Sequence, residues 1–182
     1  DVNAGKIQLP EFQRGWVWDD PHIISLIASV SMAYPIGAVM MLESGNENVR
    51  FQSRAVEGIE LPEVEPEQYI LDGQQRLTSL FQSIYLNKPV STRDFKGKKI
   101  NRWYYMDMNK ALDPDIDRED SIISLPENRV VVGFGREIIY DYSDKGSEYE
   151  NNLFPLNKIF NASGWRRGYQ KFWGYEPTAI EL

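Results

Sequence analysis

The chain has no cysteine and a single histidine, His22, among its 182 residues. Without cysteine there are no disulfides, thiolate nucleophiles, zinc-finger ligands or redox relays. A Ser-His-Asp triad or a histidine-rich metal site would have to be built around His22 alone. Long apolar runs are missing too. The longest, Ile36 to Leu42, is interrupted by Gly37 and is far too short to cross a bilayer. With no apolar signal-peptide region either, the expectation is a cytoplasmic protein with no membrane partner. Positive charge is the scarcer sign: 20 Lys and Arg face 27 Asp and Glu, a formal charge of −7. A domain that grips DNA over its whole surface is ordinarily basic, so that picture starts at a disadvantage.

What is present suits a folded domain. Hydrophobic residues make up 42% and aromatics 13%, enough to bury a core, and the length fits one domain. The available chemistry is that of carboxylates, amides, guanidinium groups and backbone N–H groups.

Along the chain, Lys6 to Leu9 alternates polar and apolar residues and reads as a short strand ending at Pro10. Asp19-Asp20-Pro21 signals a helix start, and Ile23, Ile24, Leu26, Ile27 and Val30 supply its apolar stripe before Tyr34-Pro35 stops it. Ile36 to Leu42 reads as a buried strand. Residues 43 to 67, with seven Glu, read as a mobile acidic excursion holding a hairpin around Val49-Arg50-Phe51. A strand over Tyr69 to Leu71 and a helix over Gln74 to Leu86 follow, the helix carrying Leu77, Leu80, Phe81 and Ile84 at helical spacing. Arg102 to Met108 and the Val-rich Arg129 to Phe134 read as strands, Ser147 to Asn152 as a helix, and Phe154-Pro155-Leu156 as an anchor. Strands and helices mix without regular βαβ alternation. The expected fold is therefore α+β, a compact mixed-sheet domain with flanking helices. It is expected as one domain over 1–182, with a core at about 5–135 and a C-terminal extension at 136–182. The final residues look like the start of another element, so the chain is expected to be a fragment of a larger protein.

The most informative window is Tyr69-Ile-Leu-Asp-Gly-Gln-Gln-Arg-Leu-Thr78: strand, glycine turn, helix start. First-turn N–H groups lack intrahelical acceptors and lie at the positive end of the helix dipole. Gly73 admits a ligand close to the backbone, and Arg76 adds a cation, so the window suits phosphate. Gln74 and Gln75 can donate amide hydrogens or orient a water. Asp72 can bind Mg²⁺, accept a ribose hydroxyl or cap the helix. The plainer reading is a turn with an N-cap and a solvated arginine. This is no Walker A loop, since it lacks the lysine and the long glycine-rich span. In a second window, Leu9 to Trp18, Gln13-Arg14-Gly15 can place another amide and guanidinium beside the first, while Phe12, Trp16 and Trp18 anchor the loop.

Pro10-Glu-Phe-Gln-Arg-Gly-Trp-Val-Trp-Asp19, followed about 50 residues later by Ile70-Leu-Asp-Gly-Gln-Gln-Arg-Leu-Thr78, resembles the N-terminal domain of GmrSD-type restriction endonucleases. The match is specific over residues 5 to 86. That family is similar in fold to the ParB and sulfiredoxin group, whose short Gly-x-x-Arg turn at a helix start corresponds to Gly73-Gln74-Gln75-Arg76. The resemblance implies NTP binding and hydrolysis coupled to restriction of modified foreign DNA, such as glucosylated phage DNA. It implies catalytic roles for Asp72, Gln74, Gln75 and Arg76, nucleotide contacts from Gln13, Arg14 and Gly73, and Mg²⁺ held near Asp72. Sulfiredoxin chemistry does not carry over, because its motif needs a cysteine where this chain has Gln75. The family's nuclease centre is a His-Asn-His-type domain that a chain with only His22 cannot contain, so a nuclease domain or subunit is the implied partner.

Two basic stretches are left. Residues 88 to 102 hold six basic residues against Asp94, and Lys158, Arg166, Arg167 and Lys171 interleave with Trp165, Tyr169, Phe172 and Trp173. The second composition suits backbone contact plus base stacking; the alternative for both is a solvated face balancing the acidic loops. Three functional classes follow: an NTP-hydrolysing module, a module that senses a nucleotide or modified base without turnover, and a purely structural partner domain. The last leaves two separated Gln-Arg motifs unexplained.

Overall fold

The structure, a computed structural model, describes residues 1–45, 51–60 and 64–175. The hairpin expected around Val49-Arg50-Phe51 and the last element at 177–182 fall wholly or partly outside those residues. The chain runs through β1 (Ile7–Pro10), α1 (Asp20–Ser31), β2 (Met40–Glu43), β3 (Ser53–Arg54), β4 (Gln68–Asp72) and α2 (Gln74–Leu80). Helix α2 runs on into a π-helical turn at Phe81–Tyr85. Then come β5 (Val90–Arg93), β6 (Lys99–Asp107), α3 (Met108–Leu112), β7 (Ile122–Pro126), β8 (Val130–Val132) and β9 (Ile138–Asp141). Helix α4 (Lys145–Glu150), β10 (Leu153–Pro155) and α5 (Ser163–Phe172) complete it. The architecture is the expected α+β.

Two four-stranded sheets organise these elements. The first has the order β2-β4-β1-β3, with β1 and β4 parallel and both edge strands antiparallel to them. Parallel neighbours require a crossover, and α1 lies within the connection between them. The consequence for function is immediate: the chain leaves β1 and β4 at the same end of the sheet. Leu9, Val56 and Ile70, each at most 2% exposed, form the small core between this sheet and Leu77 of α2.

The second sheet is built on β6. Strand β7 lies along one edge, while β5 and β10 pair with successive halves of the other. Period-two alternation sends Tyr104 and Tyr105 to opposite faces. Tyr104 packs with Ile23 and Ile27 of α1, and Tyr105 with Leu125 and Leu153. Asp19 caps α1 by accepting from the His22 N–H, as its sequence signals. Asp20 accepts from the Tyr104 hydroxyl at 2.8 Å and the Ser124 hydroxyl at 2.7 Å, tying α1 to the sheet. Burial, with the Asp20 carboxylate alongside, pushes the Tyr104 hydroxyl far above the ordinary tyrosine range.

Several expectations are corrected by the packing. Ile36 to Leu42 is not a buried strand: only Met40–Glu43 pairs, at a sheet edge, and its side chains are largely exposed. Of the expected α1 stripe Ile23, Leu26 and Ile27 are buried, but Val30 is exposed and Ala28 joins the buried side. The Val-rich segment is a strand as expected, at Val130–Val132, and forms one arm of a two-stranded hairpin, β8–β9. Past residue 136, Leu153–Pro155 joins the second sheet as β10. Two of the α5 aromatics are engaged inside the protein, since Tyr169 is 3% exposed and Trp165 stacks on it and meets Tyr149 edge-on, while Phe172 stays exposed.

Candidate functional site

The segment after β1 and the turn after β4 emerge side by side, as parallel pairing demands. Between them lies a cavity of about 300 Å³, lined by Gln13, Arg14, Leu71, Asp72, Gly73, Gln74, Gln75 and Arg76. Every site residue picked out from the sequence therefore faces one space, although the two groups lie about 60 positions apart. Openings beyond the carboxyl ends of parallel strands are a recurrent place for ligands.

The motifs are joined by their own side chains. Gln13 Nε2 donates to the Ile70 and Leu71 carbonyls at 2.6 and 2.9 Å. Gln74 Nε2 donates to the Arg14 carbonyl at 2.5 Å. Gln75 is a two-way clamp: its Oε1 accepts from the Val17 N–H at 3.0 Å, and its Nε2 donates to the Gly15 carbonyl at 3.1 Å. The Trp16 indole N–H donates to Ser79 Oγ at 2.9 Å. This explains an oddity of α2. The half-buried side of the helix and its π-helical turn is the expected apolar stripe, yet Gln74, Gln75, Thr78 and Ser79 of α2 and Gln82 and Ser83 of the turn are the fully buried residues. Buried amides and hydroxyls need partners, and the first motif's backbone supplies several of them.

Three oxygens on or around this junction have none. Gln13 Oε1, Gln74 Oε1 and Glu57 Oε2 are buried without a hydrogen-bond partner. An orphaned buried acceptor costs about 1–3 kcal/mol. Gln74, only 8% exposed and one of the residues that line the cavity, thus keeps an uncommitted carbonyl oxygen.

The charges are arranged differently from the sequence expectation. Arg76 is no free first-turn cation: its guanidinium donates to the Ile36 carbonyl and, at 2.8 Å, to the Ala38 carbonyl. It also reaches Asp72 at 3.5 Å, a weak pair because the Asp72 side chain is 71% exposed. Arg14 is exposed, and among the described residues its guanidinium has no hydrogen-bond partner. Gly73 caps α2 in the left-handed region at φ 86, and no side chain caps the helix, so its first N–H groups face the cavity end uncapped. A Cβ there would sit 3.1 Å from Val39 Cγ2 and 3.4 Å from the Ala38 carbonyl.

Arg54 and Glu57 are absent from the sequence reading. Glu57 Oε1 accepts from the Trp16 N–H at 2.9 Å and from Arg54 at 2.8 Å. Arg54 also donates to the Arg14 carbonyl at 3.1 Å. The available signal was an opposite-charge pair three apart, obscured by the surrounding glutamates. As for a metal, the described residues hold no cluster of three or more His, Asp or Glu. Asp72, 71% exposed, is the one carboxylate among the residues that line the cavity. No helix among the described residues is long and apolar enough to cross a membrane.

Comparison with known proteins agrees with the motifs. An uncharacterized protein of Methanocaldococcus jannaschii is 36% identical over 131 residues, which are 68% of this chain and 21% of that protein. The chain thus spans about a fifth of that relative's length. No solved structure matches it significantly. The family model for the N-terminal domain of GmrSD restriction endonucleases matches residues 1–166, and the chain belongs to that family.

Proposed function

We propose that this chain is the nucleotide-binding and NTP-hydrolysing module of a modification-dependent restriction system, acting with a nuclease domain or subunit on modified DNA. The observation that carries the reading is the single cavity enclosed by two motifs distant in sequence. Phosphates would meet the uncapped α2 start and Arg14, the cation left unengaged. Gln74, whose Oε1 has no partner among the described residues, would orient an attacking water, and Asp72 would hold the water shell of Mg²⁺. Gln75 and Arg76 act by positioning, since their polar atoms hold residues 15–17 and 36–38. The Gly73-to-Arg76 turn is also the piece on which a ParB-like kinship rests.

A second reading, nucleotide sensing without turnover, draws support from those same commitments: three of the four polar residues expected to be catalytic are partly occupied in holding the backbone. The test gives the protein each of the four NTPs with Mg²⁺ and follows thermal stabilisation and phosphate release. The first reading expects binding that Arg14→Ala weakens and release that Gln74→Leu removes. Binding without release from the wild type selects the sensing reading, and no stabilisation by any NTP refutes both.

A further inference from the structure

The basic stretch at 88–102 folds into something specific. Strands β5 and β6 pair from Val90↔Arg102 to Arg93↔Lys99, while β7 joins β6 only from Arg102 onward. Before Arg102, over Lys99 to Asn101 of β6, the sheet is therefore a two-stranded ribbon. Alternation buries Val90 and Thr92, and puts Ser91, Arg93, Lys99 and Asn101 on the exposed face. The turn adds exposed Lys96 and Lys98, with the Lys96 ammonium 5.3 Å from the centre of the Phe95 ring.

Two features of this ribbon are unfavourable unless an anion covers it. Arg93 and Lys99 lie directly opposite each other, and like charges in that position destabilise a strand pair. Among the described residues no carboxylate forms an ion pair with Arg93, Lys96, Lys98 or Lys99. Asp94, the only acid in the turn, accepts from the Lys96 and Lys98 N–H groups through Oδ1, each at 2.9 Å, and forms an ion pair with none of these cations. Glu127, beside the ribbon, accepts from Asn101 at 2.9 Å and pairs with none of these cations. A protein of net charge −7 thus gathers four unpaired cations on one ribbon tip. Four residues of strand rise make a face roughly 13 Å long, and the major groove of duplex DNA admits a two-stranded ribbon.

We infer that the β5–β6 ribbon is a contact surface for the sugar–phosphate backbone of duplex DNA, with Arg93, Lys96, Lys98 and Lys99 as its phosphate ligands. The restriction reading enters only in the choice of DNA over another polyanion. The other basic cluster serves as the control, because three of its four aromatics, Trp165, Tyr169 and Trp173, pack against the protein while Phe172 is exposed.

The test is fluorescence anisotropy of a labelled 20-base-pair duplex against the full chain, titrated in 50 and 200 mM NaCl. Four phosphate contacts predict that wild-type affinity falls about 150-fold over that range. The triple variant Lys96→Gln, Lys98→Gln, Lys99→Gln, with one contact left, loses only about 3- to 4-fold. At 50 mM it also binds more weakly than wild type. The control Arg166→Gln, Arg167→Gln, Lys171→Gln keeps the wild-type salt dependence. The inference is overturned if the wild type binds no duplex at 50 mM, if the ribbon triple keeps the wild-type slope, or if the α5 triple removes it. A single strand bound as tightly as the duplex also overturns it. Thermal stabilisation by NTP is read on the same variants. Its absence from all of them, with the DNA result intact, counts against the nucleotide reading alone.

Discussion

Gln74 and Gln75 are adjacent, chemically identical and equally buried, at 8% exposure each, yet replacing them with leucine should have opposite consequences. Gln75→Leu keeps the side-chain volume but deletes two hydrogen bonds, to the Val17 N–H and the Gly15 carbonyl. At about 1 kcal/mol net for each, the loss is about 2 kcal/mol, with water able to reach the exposed backbone of Gly15 and Val17. Gln74→Leu deletes one bond, to an Arg14 carbonyl that Arg54 still satisfies at 3.1 Å. It also removes the orphaned Oε1, whose desolvation costs about 1–3 kcal/mol in the folded protein. The net change runs from about zero to mildly stabilising. In a domain of this size 1 kcal/mol moves Tm by roughly 2–4 °C, so Gln75→Leu should melt about 4–8 °C below wild type. Gln74→Leu should melt at or slightly above it. Differential scanning calorimetry with urea titration reads both. A Gln74→Leu variant destabilised as much as Gln75→Leu would show that the buried oxygen is satisfied, and would remove the argument for a ligand-facing amide.

Three further outcomes follow from particular contacts. At Gly37, φ is 90, and a Cβ would collide with Arg76 Nη1. Gly37→Ala should therefore eject the guanidinium from the Ile36 and Ala38 carbonyls, lowering stability by about 1–2 kcal/mol from backbone strain alone and weakening any NTP-induced thermal shift. Glu57→Gln should loosen the Trp16 loop by removing the Arg54 ion pair, and hydrogen exchange at the Trp16 and Val17 amides should rise while exchange in β6 stays slow. Burial raises the Glu148 carboxyl above its ordinary range despite hydrogen bonds from Tyr105 and Trp165 and the nearby Arg129. A raised folded-state pKa contributes stability below the unfolded value that is lost as pH rises through the folded one. Relative to Glu148→Gln, the wild type should thus lose Tm as pH climbs from 4.5 toward neutrality, and a pH-independent difference would contradict the assignment.

The elements legible in the chain were those whose signals are local. Asp19 capping α1, Pro10 ending β1 and the Asp72-Gly73 turn before α2 each depend on a few neighbouring residues, and each stands in the structure where its spacing places it. The apolar run at Ile36 to Leu42 misled because hydrophobicity alone cannot distinguish a central strand from an edge one. The same limit hid the inner face of α2. A helix with Leu77, Leu80, Phe81 and Ile84 on one side looks oriented by them, yet its fully buried residues are the glutamines, threonine and serines.

The sequence by itself determined the two Gln-Arg motifs, the absence of thiol chemistry and the family to which they point, because residue identity and spacing suffice for all three. Tertiary structure alone decided that both motifs share one cavity, through the parallel pairing of β1 with β4, a non-local contact with no signature in either strand. It decided which of the polar residues are free as well. Arg76 and Gln75 spend their donors on backbone carbonyls brought close by folding, while among the described residues the Arg14 guanidinium finds no acceptor and the Gln74 side-chain oxygen no donor. Hydrogen-bond capacity is a property of the residue; whether it is already spent depends on what the fold brings within 3 Å or so.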